Sequence, residues 1–320
     1  MKTIHRIELP TPFAVGPVNA YFIDGEEPAL VDVGPLTEEA FLILEQALRD
    51  LGYGFSDLRR IVITHPHTDH SGLVGPVVAA SKASVLTHRL NRPSIEDYEG
   101  EWKRRRAFLR SFFGSRGVTA EWLDLMDRGS ASFQKYGGPA PVHGVLEDGE
   151  SIRLGEHDWQ VLLTPGHTAG HICLYQPEFR TLLSGDHLLP QISSNPTLEP
   201  PEPGSQERSP SLVSYLSSLR RIEALQIEDV FPSHGEPFSA PGEIIRDRLD
   251  HHEKRKEKTA GLLTARGATL PEICCELFPR LSPSQYYLGL SETLGHLELL
   301  EVEGRVKTEA RNGVIVYMLS

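Results

Sequence analysis

The sequence predicts an α+β fold, with a larger domain over residues 1–250 and a small helical domain over residues 255–320. Three observations carry that expectation. Short runs of β-formers alternate with helical periodicity before residue 91 and again after residue 140. A charged, aromatic stretch at about residues 91–140 interrupts the alternation as a helical insertion. The tail then changes to three helices closed by a two-stranded hairpin. With 320 residues, 39% of them hydrophobic, the chain can bury one large core and a smaller second one.

The elements follow in order. Segments Ile4–Leu9, Asn19–Ile23 and Ala29–Val33 are β-rich and punctuated by Pro and Gly. Phe41, Leu44, Leu48 and Leu51 lie at helical spacing, and Thr37 can cap that helix over Leu36–Leu51. A strand at Arg60–Thr64, a helix at Ser71–Ala80 and a strand at Ser84–Thr87 come next. The insertion spreads Trp102, Phe108, Phe112, Phe113, Trp122 and Phe133 over helices that read as a lid. Strands resume at Ser151–Leu154, Trp159–Thr164, His171–Tyr175 and Thr181–Leu183. Ser193–Pro210, rich in Pro, Ser and Glu, reads as an exposed loop before an amphipathic helix at Ser211–Ala224 and a strand at Asp229–Phe231. In the tail, helices at Lys258–Arg266, Leu270–Phe278 and Pro283–Leu300 precede strands Val306–Ala310 and Val314–Leu319 around the turn Arg311-Asn312-Gly313. Three helices and a terminal hairpin describe a winged-helix-like module.

Composition narrows the function. A net charge of −12 works against affinity won by neutralising phosphates, so a small-molecule substrate is expected and nucleic acid is disfavoured. The tail from Arg255 onward carries eight Lys and Arg against eight Asp and Glu. Its third helix, Pro283–Leu300, has no Lys or Arg and carries Glu292 and Glu298, the opposite of what a groove-reading helix needs. That module reads as a pocket wall or a homodimer contact. No stretch approaches the roughly 20 apolar residues of a membrane span, and MKTIHRIELP lacks the apolar core of a signal peptide, so a cytoplasmic protein without a membrane partner is expected. Cys173, Cys274 and Cys275 form neither a disulfide framework nor a zinc-ligand spacing. Any metal here is held by nitrogen and oxygen.

Four motifs bring His or Asp to the ends of strands. His65-Pro66-His67-Thr68-Asp69-His70 packs four donors into six residues directly behind Ile61-Val62-Ile63. Thr164-Pro165-Gly166-His167-Thr168, Ser184-Gly185-Asp186 and Pro232-Ser233-His234-Gly235 each follow an apolar strand as well. Imidazole and carboxylate together suit zinc or a similar transition metal. The set divides into His65, His67 and His167 for one cation and Asp69, His70 and His234 for another. Asp186, having two oxygens, can bridge them.

The order and spacing of these motifs resemble the metallo-β-lactamase superfamily, in particular its hydrolase branch with the glyoxalase II-like thioesterases. Asp32, in Val31-Asp32-Val33-Gly34, matches that superfamily's first motif, an aspartate behind the ligands. The resemblance covers about residues 1–250 and implies an αββα sandwich with a binuclear site at one edge of two packed sheets. It implies two divalent metal ions, zinc first and manganese or iron as alternatives. The appended tail resembles the subgroup containing β-lactamase-like protein 2, whose animal members are endoribonucleases.

The expected reaction is hydrolysis of a thioester, ester or lactone of a small acyl substrate by a hydroxide that two cations share. Asp69 would orient it and pass a proton to the leaving group. Single-strand endoribonuclease chemistry at the same metals is the alternative. A diiron electron-transfer protein is a third class, and no Cys-x-x-Cys or flavin motif supports it.

The remaining signals are weighed singly. His187 has a useful pKa range for a proton donor, but a strand-end histidine turned to core or solvent is the weightier reading. His171 reads as packing or hydrogen bonding beside the site. His251 and His252 read as a solvated helix face, and Cys173 as a small core residue. Lys103-Arg104-Arg105-Arg106 reads first as a solvated face offset by Asp97, Glu99 and Glu101, and second as a clamp for an anionic group. Phe108, Phe112 and Phe113 serve equally well as an acyl pocket or as packing beneath the lid.

Overall fold

Strands whose residues are apolar on both faces have to be covered on both faces, and this chain meets that demand with two sheets back to back. The computed structural model describes residues 3–205 and 207–320. Strands β1 (Ile4–Leu9), β2 (Val18–Ile23), β3 (Ala29–Val31), β4 (Arg60–Ile63), β5 (Ser84–His88) and β6 (Gly144–Leu146) form the first sheet in that order. Strands β7 (Ser151–Leu154), β8 (His157–Leu163), β9 (Ile172–Gln176), β10 (Thr181–Gly185), β11 (Asp229–Pro232) and β12 (Phe238–Ser239) form the second, also as consecutive neighbours. The β1–β3 meander is antiparallel and β3 through β6 are parallel. In the second sheet only the β10–β11 pair is parallel.

The inner faces of the sheets meet in a core around Trp159, Tyr21, Val62, Leu154 and Leu174. Outside the first sheet pack α1 (Glu38–Asp50), capped by Thr37 as expected, and α3 (Val74–Ser81), which follows the short α2 (Thr68–Ser71). The insertion is built from α4 (Arg92–Glu96), α5 (Tyr98–Gly114) and α6 (Ala120–Gln134). Outside the second sheet pack α7 (Ser211–Glu223) and α8 (Gly242–Leu262), giving the αββα layering.

Trp159 is fully buried between the sheets, so Trp159→Ala would open a cavity that the rigid strands cannot collapse. A loss of about 3–5 kcal/mol of stability is expected, measured by denaturant titration.

The tail departs from the sequence reading in two ways. Its first helix is the end of α8, a single 21-residue helix that begins in the catalytic region and runs through the junction. The tail adds α9 (Leu270–Leu277), a one-turn 3₁₀ helix at Pro283–Gln285, α10 (Tyr286–Val302) and the hairpin of β13 (Val306–Arg311) with β14 (Val314–Leu319). Secondly, this module and the insertion share one core: Phe113, Val118 and Leu123 pack with Leu270, Leu290 and Tyr317. Phe108 and Phe112 join the same core, so these aromatics pack the insertion onto the tail and do not form an acyl pocket. The insertion is therefore bolted down by the tail.

The expected solvated face at His251 and His252 is corrected by half. His251 is exposed, whereas His252 is 2% exposed and its Nδ1 lies 3.4 Å from Nε2 of the fully buried His296. The wheel position of His252 faces α10, a contact invisible without tertiary structure. Burial drives the pKa of His252 down to about 3 and that of His296 down to about 4. Both rings stay neutral in the fold while an unfolded histidine takes up a proton below about pH 6.5. Their contribution is thus intact above that pH and is lost as pH falls toward the folded values, at about 2 kcal/mol per ring by pH 5. Denaturant titrations at pH 7.5 and pH 5 should show a shallower acid loss for His252→Leu than for the parent chain.

Candidate metal centre

Loops leaving the C-terminal ends of parallel strands converge on one edge of the sandwich. From the first sheet β3 delivers Asp32 and β4 the His65–His70 cluster; from the second, β8 leads to His167, β10 to Asp186 and β11 to His234. All seven sequence-predicted residues meet there. His65, His67 and His167 form one group whose donor atoms lie within 4.8 Å of one another, and Asp69, His70 and His234 form another. His65, His70 and Asp186 make a third group that overlaps both.

The first three rings turn His65 Nε2, His67 Nδ1 and His167 Nε2 inward, with His67 Nδ1 3.1 and 3.0 Å from the other two. Nitrogens on a tetrahedral cation at 2.0–2.1 Å stand about 3.3 Å apart, so this spacing fits a metal. Burial and the neighbouring imidazoles hold His65 and His67 well below the usual histidine range, and burial lowers His167. Neutral rings keep the lone pairs a metal needs.

Asp186 sits between the groups. Its Oδ2 lies 3.4 Å from His167 Nε2 and 4.0 Å from His65 Nε2; its Oδ1 lies 3.5 Å from His70 Nε2 and 3.6 Å from His234 Nε2. Asp69 Oδ2 lies 3.8 Å from His70 Nε2 and 3.6 Å from His234 Nε2. His70 Nε2, His234 Nε2 and Asp186 Oδ1 are buried and have no hydrogen-bond partner. Buried polar atoms are otherwise almost always paired, so three orphans aimed at one another fit a cation between them. Burial opposes charge on His70, but Asp186, Asp69 and Asp32 outweigh it and push its pKa up to about 10. Burial likewise opposes charge on Asp69, yet His70, His67 and His234 hold its carboxyl below the usual range. The carboxylates create a local demand for positive charge.

Behind the rings of His65, His70, His167 and His234, a second contact fixes which nitrogen faces inward. Asp32 Oδ2 accepts from His70 Nδ1 at 2.8 Å and from Thr64 Oγ1 at 2.8 Å, while its Oδ1 accepts from Thr64 N at 2.9 Å. Thr64 Oγ1 in turn lies 3.0 Å from His65 Nδ1. His167 Nδ1 donates to Asn195 O at 3.0 Å and His234 Nδ1 to Pro17 O at 2.7 Å. Asp32 holds φ +58°, a left-handed conformation that the aspartate side chain tolerates better than most.

His171 packs beside the site, as its sequence reading had it. Its Nε2 accepts from Asp186 N at 3.0 Å, and its Nδ1 lies 2.8 Å from Thr164 Oγ1. Gly185 at φ +51° is required here, because a Cβ would fall 2.6 Å from His171 Nε2. His187 is fully buried beside Tyr215, and burial takes its pKa down to about 3. Its ring packs on Tyr215 in the core, and neither ring nitrogen has a hydrogen-bond partner. Cys173 is a buried strand residue whose thiol donates to Ser184 O at 3.3 Å.

Sequence reasoning missed the residues that clamp these loops. Asn19 Nδ2 donates to Pro232 O at 2.9 Å and Gly235 O at 2.8 Å, and Tyr21 Oη donates to Pro232 O at 2.6 Å, gripping the His234 loop from β2. Asn91 Nδ2 donates to Gly170 O at 2.8 Å and Thr87 Oγ1 at 3.0 Å, joining the His167 loop to the first sheet. Polar residues within apolar β2 were the available signal.

A profile described as the metallo-beta-lactamase superfamily matches residues 14–234. Over nearly its whole length the chain is similar to "Probable metallo-hydrolase YqjP" of Bacillus subtilis (strain 168), with 35% identity over 323 residues, 99% of this chain and 97% of the relative. The crystal structure of a metallo-beta-lactamase family protein from Thermus thermophilus superposes with a TM-score of 0.82 at 29% identity, covering 100% of this chain and 99% of that one. A shorter stretch resembles hydroxyacylglutathione hydrolase of Maricaulis maris (strain MCS10), 28% identical over 165 residues, 52% of this chain and 44% of the relative. Among the described residues no helix is long and apolar enough to cross a membrane.

Proposed function

The chain belongs to the metallo-beta-lactamase superfamily and is a metallo-hydrolase, and on that premise we propose that it hydrolyses a thioester of a small acyl group at a two-metal centre. The observation that carries the reading is Asp186, whose two oxygens face the two ligand groups separately. His65, His67 and His167 would hold one cation, Asp69, His70 and His234 the other, with Asp186 shared. The nitrogen and oxygen donors suit zinc first, then manganese or iron. When bound, the pair would supply a water of lowered pKa and Lewis-acid stabilisation of the developing oxyanion.

The chain's own residues favour a leaving group that departs without a proton. Asp69, whose Oδ2 faces His70 and His234, is placed to orient a water. His187, the remaining candidate acid, is sealed in the core. A thiol, with a pKa near 8.5, leaves as the anion far more readily than an alkoxide. The Maricaulis relative's name, a hydrolase of hydroxyacylglutathione, points the same way.

Nucleic acid gains no support from the tail. Helix α10 is a central element with Gly289–Ser291 and Thr293–Leu297 buried, and its Glu292 and Glu298 are engaged by Arg255 and Arg208. A buried helix cannot enter a groove. The test is a panel of thioesters, lactones, alkyl esters and phosphodiesters offered to zinc-loaded protein. Thioesters are expected to be turned over fastest, and cleavage of a phosphodiester with no thioester hydrolysis would overturn the reading.

A further inference from the structure

The run Lys103–Arg106 does not act as a unit. Lys103 is 3.9 Å from Glu99, Arg104 is 2.6 Å from Glu101, and Arg106 is 3.0 Å from Asp127, so these three are neutralised on the insertion's own surface. Arg105 turns the other way, toward the segment around His167. Its Nη2 donates to Tyr287 Oη at 2.5 Å, its Nη1 reaches Glu199 Oε1 at 3.4 Å, and its guanidinium lies 5.4 Å from the centre of the Tyr287 ring. Each partner is anchored to the segment around His167. Glu199 Oε2 accepts from Ala169 N at 2.6 Å, and Tyr287 Oη donates to Leu198 O at 2.8 Å. Thr197 Oγ1 donates to His167 O at 2.7 Å, and Asn195 O accepts from His167 Nδ1. Insertion, loop and tail thus meet beside the His167 segment, and their shared core keeps Arg105 in place.

Glu199 pairs with this guanidinium as Glu99, Glu101 and Asp127 pair with its neighbours, so what sets Arg105 apart is its place against the segment around His167. The side chain is 29% exposed, and its donors are only partly engaged, leaving N–H groups for a planar acceptor.

We propose that Arg105, positioned by Tyr287, is the anion-recognition residue beside the His167 segment and selects thioesters bearing a carboxylate on the acyl side, near the scissile bond. The proposal rests on the thioester reading above. It also gives the insertion and tail a role: together they form the specificity wall.

Three probes of matched size test it. S-succinyl-N-acetylcysteamine carries the carboxylate on the acyl side, S-butyryl-3-mercaptopropionate on the thiol side, and S-butyryl-N-acetylcysteamine carries none. The succinyl probe should exceed the neutral one by about tenfold or more in kcat/KM, mostly through KM, since binding is what the guanidinium contributes. In Arg105→Gln that ratio should fall to about one. Arg105→Lys and Tyr287→Phe, which keep the charge but lose the fork or its support, should give intermediate ratios. Calorimetric titration of zinc-loaded protein with succinate and with butyrate reads the same preference without turnover: succinate should bind at least about tenfold tighter, and less so in Arg105→Gln. Equal affinities for the two acids, or a preference that survives Arg105→Gln, would overturn the proposal while leaving thioester hydrolysis standing. An Arg105-dependent succinate preference without hydrolysis of any thioester would sustain anion recognition and sink the thioester reading.

Discussion

Asp186→Ala is expected to lower kcat/KM by about three orders of magnitude or more, equivalent to about 4 kcal/mol of transition-state stabilisation. No other side chain among the described residues presents one oxygen to the His65 and His167 nitrogens and the second oxygen to those of His70 and His234. Without it, five histidines and Asp69 remain around two sites with one fewer anion and no shared ligand. Asp186→Asn keeps the volume but removes the charge, so metal content should fall less than in the alanine variant while activity still collapses. Stopped-time assays on the preferred thioester, with metal analysis of the same samples, check both statements. Wild-type activity in Asp186→Ala would mean that the carboxylate is a bystander.

Asp32→Ala is expected to act on both fold and chemistry. Asp32 touches nothing that reacts, yet it is 2% exposed and accepts from three donors: His70 Nδ1, Thr64 N and Thr64 Oγ1. Truncation strands those donors in a dry site, at about 3–5 kcal/mol of stability, the scale for breaking a buried pair from one side. It also frees His70 to rotate, which typically costs about 10–100-fold in metal affinity. Asp32→Asn tolerates the left-handed backbone and keeps an acceptor, so it should fold better while still binding metal more weakly. Denaturant titration and zinc competition separate the two effects. An Asp32→Ala chain that bound zinc like its parent would remove this aspartate from the account.

The parts legible in sequence share a physical reason. His65, His67, Asp69 and His70 lie within one short stretch of chain, and every other candidate ligand follows an apolar strand, so local pattern was enough to bring all seven residues together. Thr37 as an N-cap and the Arg311–Gly313 hairpin were likewise local features. What stayed hidden depends on contacts between distant segments. Asn19 grips a loop more than 200 residues away, and nothing in its own strand announces that partner. His252 looked solvated because its polar neighbours on α8 are, while its own face meets His296. Arg105 could not be told from Lys103, Arg104 and Arg106 until the fold showed which one turned inward. The shared core of insertion and tail was invisible for the same reason, since aromatic spacing on two separate helices does not say what they pack against.

Whether two cations act together through one bridging carboxylate is decided by titrating metal-free protein with zinc while following thioester hydrolysis and zinc content. Activity should climb to a plateau at two zinc ions per chain, and His234→Ala should bind the first ion normally yet stay on the floor. A plateau at one ion, or full hydrolysis by the metal-free chain, would contradict it.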